Sequence, residues 1–322
     1  MTMVARCTGA LLGMLCVVAL ASPQGEPHSY ADYHQHLFSP EIARRSPSLQ
    51  PIAAADLVPL LDAAGIERAA VLSLGYQFGN PNRPPVEDEY EHVKAENDWT
   101  SQEVARYPQR LVGFCGVNPL RDYAREEIDR CAKDPQLRTG LKMHFGNSDV
   151  DLLNPQHVKA LQGVFRAANA HRMAIVVHLR STISQKRPYG ASQARAFLTD
   201  VLPSAPDVPI QIAHLAGAGG YDDPLVDEAL AVFVDAIAAN DARMAKVLFD
   251  VSGVAGLGQW KTKTDLIAKR IRELGVERVL YGSDGAGGGN PTPRQAWAAF
   301  LELPLTRAEV QTIASNIAPY MR

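Results

Sequence analysis

The chain has 322 residues, enough for one large core or two ordinary ones. Its apolar fraction of 46% and charged fraction of 21% are near globular averages. A net charge of −3 with no long basic or acidic run leaves no footprint for nucleic acid and no polybasic patch for a membrane surface.

The N-terminus differs from the rest. "MTMVARCTGALLGMLCVVALASPQG" carries one arginine, Arg6, then an uncharged apolar run from Ala10 to Ala21. The closing "ALA" suits a small-residue cleavage site. We expect a signal peptide over 1–21, with a single-domain mature chain over 22–322 that is secreted or periplasmic and free of the membrane. The run is shorter than the roughly 20 residues of a spanning helix. The alternatives are an uncleaved anchor or a misassigned start codon. Lipid attachment at Cys16 is disfavoured by the bulky Leu15 before it. Cleavage removes Cys7 and Cys16, leaving Cys115 and Cys131. The expectation is two buried thiols, with a single bridge as the alternative for an exported chain.

From Tyr30 onward, short apolar runs alternate with amphipathic ones. "YADYHQH" reads as a strand and "AADLVPLLDAAG" as a helix closed by Gly65, with Pro59 in its first turn or at a kink. "RAAVLSL" is a strand, and Glu87 to Arg106 a long helix. Strands "RLVGFCGV", "GLKMHF", "MAIVVHL", "PIQIAHL", "KVLFDVS" and "RVLYGSD" follow, each with a helical stretch after it, and a last helix covers "TRAEVQTIASNIAPYM". The strands are near-continuously apolar, as when helices cover one side and a packed interior fills the other. This succession predicts an α/β protein with a (β/α)8 TIM barrel; a doubly wound open sheet is the competing architecture.

A barrel of this kind places its chemistry at the C-terminal ends of the strands. The chain has nine histidines, and five of them end apolar runs: His34 and His36, His144, His178 and His214. Lys142, Arg180 and Asp284 stand at strand ends too, whereas His92, His157 and His171 lie in ordinary helical contexts. Residues two apart on a strand point the same way, so His34 and His36 offer two imidazoles to one point. With His178 and Asp284 they would surround one divalent ion: zinc in the first instance, manganese or another as the alternative. His214 and Asp284 are the candidate catalytic proton carriers beside a metal-activated water. Lys142 and His144 also share a face. Lys142 would bind a substrate anion, form an ordinary ion pair, or carry a carbamate bridging two metals. Arg180 would hold an anionic group of the substrate or lie outside the site. The glycine-rich "GAGGGNPTP" after Asp284 lacks phosphate-loop spacing and reads as a rim.

Taken together, "DYHQH", "RYPQRLVGFCGVNP", "GLKMH", "VVHL", "IAHLAG", "FDVSG", "LYGSD" and "IASNIAPYM" resemble the amidohydrolase-related branch of the amidohydrolase superfamily, which includes 2-amino-3-carboxymuconate-semialdehyde decarboxylase and similar decarboxylases, hydratases and lactone hydrolases. The resemblance implies a TIM barrel with one divalent metal, usually zinc. By motif position His34, His36, His178 and Asp284 would be its ligands and His214 the acid/base. It also implies a small-molecule substrate and a homodimer. Relatives often follow the strand 8 aspartate with a proline-containing aromatic segment, which "GAGGGNPTP" replaces here. The first expectation is a metal-dependent hydrolase of a lactone, ester or amide of a small acidic substrate. Non-oxidative decarboxylation of an aromatic or unsaturated acid is the alternative, and a non-catalytic binding protein on the same barrel the third.

Overall fold

A computed structural model describes residues 27–45, 49–182, 186–221, 223–285 and 289–322. The expected signal peptide over 1–21 lies outside them, as do Ala286, Gly287 and Gly288 of the glycine-rich rim. Eight strands run in chain order: β1 (Ala31–Gln35), β2 (Arg68–Leu72), β3 (Leu111–Gly116), β4 (Gly140–His144), β5 (Ala174–His178), β6 (Ile210–Ile212), β7 (Val247–Asp250) and β8 (Val279–Leu280). Each pairs parallel with the next, so the sheet order is the sequence order. Two hydrogen bonds bring the last strand region back to the first: Tyr33 N–H to Tyr281 O at 2.9 Å and Asp284 N–H to His34 O at 2.9 Å. The fold is the expected (β/α)8 barrel.

Helices α1 (Pro40–Arg44) and α2 (Ala54–Ala63) lie between β1 and β2. One helix then follows each of β2 to β7: α3 (Glu89–Ala105), α4 (Ala124–Cys131), α5 (Pro155–Ala170), α6 (Ala191–Ala196), α7 (Pro224–Ala238) and α8 (Thr264–Leu274). After β8 come α9 (Pro293–Leu301) and α10 (Arg307–Ser315). Strong caps set several starts. Asn154, Asp223 and Thr292 each accept a backbone N–H from the first turn of α5, α7 and α9. Pro59 sits past the first turn of α2, which continues through it. The short α1 is an addition to the expected elements.

Period-two alternation partitions the strands. On β2, Ala69 and Val71 join the large cluster under the helices, while Ala70 and Leu72 join a separate cluster with Phe114, Ala174 and Val176. That second cluster fills the barrel. It needs Gly140, where a Cβ would lie 2.1 Å from a Phe114 ring carbon. Tyr320, from the C-terminal segment, sets its ring edge-on to Tyr33 and Phe114. Among the described residues no helix is long and apolar enough to cross a membrane.

The cysteine expectation is corrected. Cys115 and Cys131 are both fully buried but joined in a disulfide, which ties β3 to the end of α4. The barrel packs that helix over its own strand; residues 16 apart in sequence become neighbours only through this packing.

Candidate metal centre at the barrel mouth

The strand ends converge on a cavity of about 230 Å³, whose lining includes His34, His36, Lys142, His144, His178, His214 and Asp284. All of the expected site residues except Arg180 therefore meet at one place. His34 is the penultimate residue of β1, and His36 lies one residue past its end; their ring centres are 5.3 Å apart. His144 and His178 end adjacent strands in register and stack at 3.6 Å. His214 follows β6 with its ring 4.6 Å from His34 and 4.9 Å from His178. Arg180 is held elsewhere. Its Nε and Nη2 both donate to Asp223 Oδ2, at 3.1 and 2.9 Å, and its guanidinium lies 4.7 Å over the Tyr189 ring. The N-cap of α7 has taken its charge, and Arg180 is not among the residues lining the cavity.

Asp284 reaches the mouth because the chain leaves β8 after two residues. Gly282 permits this path: a Cβ there would lie 2.9 Å from His34 Cβ. Asp284 adopts φ 55°, a left-handed conformation that aspartate tolerates. Its N–H is fixed to His34 O, and its carbonyl accepts Asn290 Nδ2–H at 2.7 Å. His214, Leu215 and Ala216 also have positive φ, at 55°, 49° and 66°. Non-glycine residues in this region carry strain, and four of the nine such residues among those described fall on these two segments at the mouth.

The donor chemistry fits a divalent cation. His36 Nδ1 lies 2.6 Å from Leu72 O, so it carries the proton and leaves Nε2 bare, 3.7 Å from Asp284 Oδ1. His34 Nδ1 lies 3.1 Å from Asp250 Oδ2, which leaves its Nε2 unprotonated, an acceptor that Lys142 Nζ approaches. One ligand atom from each of His34, His36 and Asp284 falls within 4.8 Å of the others, with His178 on the wall of the same cavity. Burial, reinforced by the Lys142 charge, pushes the His36 pKa down to about 3. Burial likewise lowers those of His34, His144 and His178, so these imidazoles are neutral, as metal ligation requires. Burial raises the Asp284 pKa, partly countered by His214 and Lys142. Lys142 is fully buried, with Nζ 3.1 Å from His34 Nε2. Burial lowers its pKa to about 8, against the pull of Asp250 and Asp284.

Reading by strand ends missed Asp250, the last residue of β7, which is fully buried against His34 and His214. Its signal was a carboxylate ending the apolar run "VLFD". Phe38, Leu74, Tyr76 and Asn147 also line the cavity. They come from loops after the strands, where apolar periodicity says nothing.

A sequence profile of the amidohydrolase family matches residues 31–316, the span that carries every one of these residues.

The chain belongs to the amidohydrolase family.

It is an enzyme of that superfamily by this match. No curated protein sequence matches it significantly. Among solved structures it is similar to 5-carboxyvanillate decarboxylase from Sphingomonas paucimobilis, at 17% identity and a TM-score of 0.63 over 91% of this amidohydrolase chain and 99% of that one. It is similar to 5-carboxyvanillate decarboxylase from Novosphingobium aromaticivorans complexed with manganese and 4-hydroxy-3-methoxy-5-nitrobenzoic acid, at 16% identity and a TM-score of 0.57 over 91% and 95%. A third is a probable 2-pyrone-4,6-dicarboxylic acid hydrolase from Acinetobacter baumannii with citric acid bound, at 17% identity and a TM-score of 0.56 over 88% and 96%. At these identities the likeness is one of fold.

Proposed function

We propose that this amidohydrolase is a metal-dependent, non-oxidative decarboxylase of a small aromatic or unsaturated carboxylic acid. One observation carries the reading. A cavity of about 230 Å³ combines a buried ammonium, Lys142, with neutral imidazoles and the rings of Phe38 and Tyr76. Its size, below the range of pockets for drug-sized ligands, suits a single ring bearing a carboxylate. Sequence alone ranks hydrolysis first. Two of the three structural neighbours named above are decarboxylases, which supports the reverse order.

His34, His36, His178 and Asp284 would hold one divalent ion, with zinc or manganese both compatible with nitrogen and oxygen donors. The ion supplies a Lewis acid for an oxygen of the substrate. Lys142 binds the substrate carboxylate as a point charge in a site with little competing water. Tyr76 and Phe38 exclude solvent and hold the ring. His214, after its Nε2 takes a proton from solvent, delivers that proton to the carbon that loses carbon dioxide, so the carboxylate is replaced by hydrogen. The buried disulfide supports an exported enzyme, since such bonds persist in oxidising compartments. Hydrolysis of a lactone or ester is the second reading, favoured by the hydrolase among the neighbours; there His214 would take a proton from water.

The test is a panel of hydroxybenzoates, unsaturated acids and lactones, run with manganese and with zinc. Carbon dioxide release from an acid with every lactone intact is the expected result. Ring opening of a lactone without carbon dioxide would move the enzyme to the hydrolases, and metal binding with no turnover would make it a binding protein.

A further inference from the structure

The Asp250 carboxylate is closed to solvent and takes five donors. Oδ1 accepts from His214 N–H at 2.9 Å, Ser252 N–H at 3.1 Å and Ser252 Oγ–H at 2.5 Å. Oδ2 accepts from His34 Nδ1–H at 3.1 Å and Gln211 Nε2–H at 2.6 Å. Proton positions follow by elimination. Ser252 has one hydroxyl proton, and Asp250 takes it. The oxygen then has only lone pairs to offer His34 Nδ1 at 3.1 Å and His214 Nδ1 at 2.9 Å. His214 Nδ1 also faces the Ser252 carbonyl at 2.7 Å, an acceptor only. Both rings must therefore be protonated on Nδ1, and both keep an unprotonated Nε2, that of His34 facing Lys142 Nζ at 3.1 Å.

We propose that Asp250 is a positioning residue that serves two roles at once: it fixes His34 as a metal ligand and, through Ser252 and the His214 backbone, fixes His214 as the proton carrier. The proposal rests on the metal-site reading above for the meaning of those two rings. The backbone contact matters because His214 sits at φ 55°, outside the range that a side chain with a Cβ prefers, and its N–H is bonded to Asp250. The carboxylate is itself set from below. Tyr320 OH donates to Gln211 Oε1, which turns the Gln211 amide so that Nε2 points at Asp250 and at Tyr33 O. The C-terminal segment thus reaches a metal ligand through the barrel interior. Although burial alone would raise the pKa of Asp250, its neighbours His34 and His214 and the donated bonds outweigh it, and the group stays ionised.

The experiment pairs zinc titration with nitrogen-15 NMR of histidine-labelled protein. Wild type should show His34 and His214 as Nδ1–H imidazoles before metal is added. Asp250→Asn, which keeps the shape but not the acceptor set, should weaken zinc binding by about 10- to 100-fold and give His34 a mixture of tautomers. Tyr320→Phe leaves the mouth untouched and should give a smaller loss with a partial tautomer change. A folded Asp250→Asn with wild-type zinc affinity and unchanged Nδ1–H signals overturns the proposal. Should Asp250→Asn fail to fold, unchanged affinity and spectra in Tyr320→Phe overturn it instead. Zinc failing to bind wild type would sink the metal reading, and the tautomer signals would still decide the proposal.

Discussion

The mouth of the barrel and the layer between its strands and helices use similar ring sizes for opposite ends. In the layer, Phe165, Phe197, Phe233 and Phe249 form a ladder of angled rings with centres 5.8, 6.4 and 5.9 Å apart. Every one is fully buried and asks nothing of its neighbours but contact. At the mouth, His34, His178 and His214 are almost as buried and His144 partly so, yet each ring nitrogen must be assigned a partner or left bare for a ligand. Histidines on the outer helices show the ordinary fate instead: His92 pairs with Glu41 at 2.6 Å and His171 with Asp129 at 2.7 Å. The layer is built on apolar contact, and the mouth gathers ionisable side chains and left-handed backbone.

That contrast can be broken in four ways, taken from the largest expected effect downward. His178→Ala should abolish tight metal binding and turnover together while the fold persists; metal analysis of the purified variant checks it, and a full complement of ion would remove His178 from the ligand set. His214→Ala should keep the ion and lose about 10²- to 10⁴-fold in kcat, the usual worth of a proton carrier. Normal turnover would end its acid/base role. Phe165→Ala, in the layer, should cost about 3–5 kcal/mol of stability in denaturant melts while leaving zinc affinity alone. A change in affinity would show that layer and mouth are coupled.

Glu96 sharpens the comparison, because it puts a mouth-like problem inside the layer. It is buried, Ser39 Oγ donates to its Oε2 at 2.5 Å, and its Oε1 has no partner. Burial pushes its pKa from 4.5 up to about 7. The folded state therefore holds this proton more tightly than the unfolded chain. Its contribution is complete below pH 4.5 and is lost as pH rises to about 7, a swing of about 3 kcal/mol. Glu96→Gln should remove that swing, so that urea midpoints measured at pH 5 and pH 8 converge relative to wild type.

Much of this was legible in the chain. Eight apolar runs with helical stretches between them specify the barrel, because parallel strands buried on both faces leave a near-continuous apolar signature. The rule that chemistry sits at strand ends then finds His34, His36, Lys142, His144, His178, His214 and Asp284, all of which line one cavity. Arg180 shows where the rule fails. It too follows a strand end, but the Asp223 cap of α7 lies within reach and takes its guanidinium.

Sequence by itself determined the order of strands and helices and the residue types at the mouth, since both follow from local periodicity and from where polarity interrupts it. Tertiary structure alone decided the Cys115–Cys131 bond, the capture of Arg180, the left-handed turn at His214 and the Asp250 contacts that choose which nitrogen of each ring is bare. The physical reason is range. Burial patterns are written along a few consecutive residues, whereas a proton on one imidazole nitrogen is settled by an acceptor more than 200 positions away, brought near only when the barrel closes.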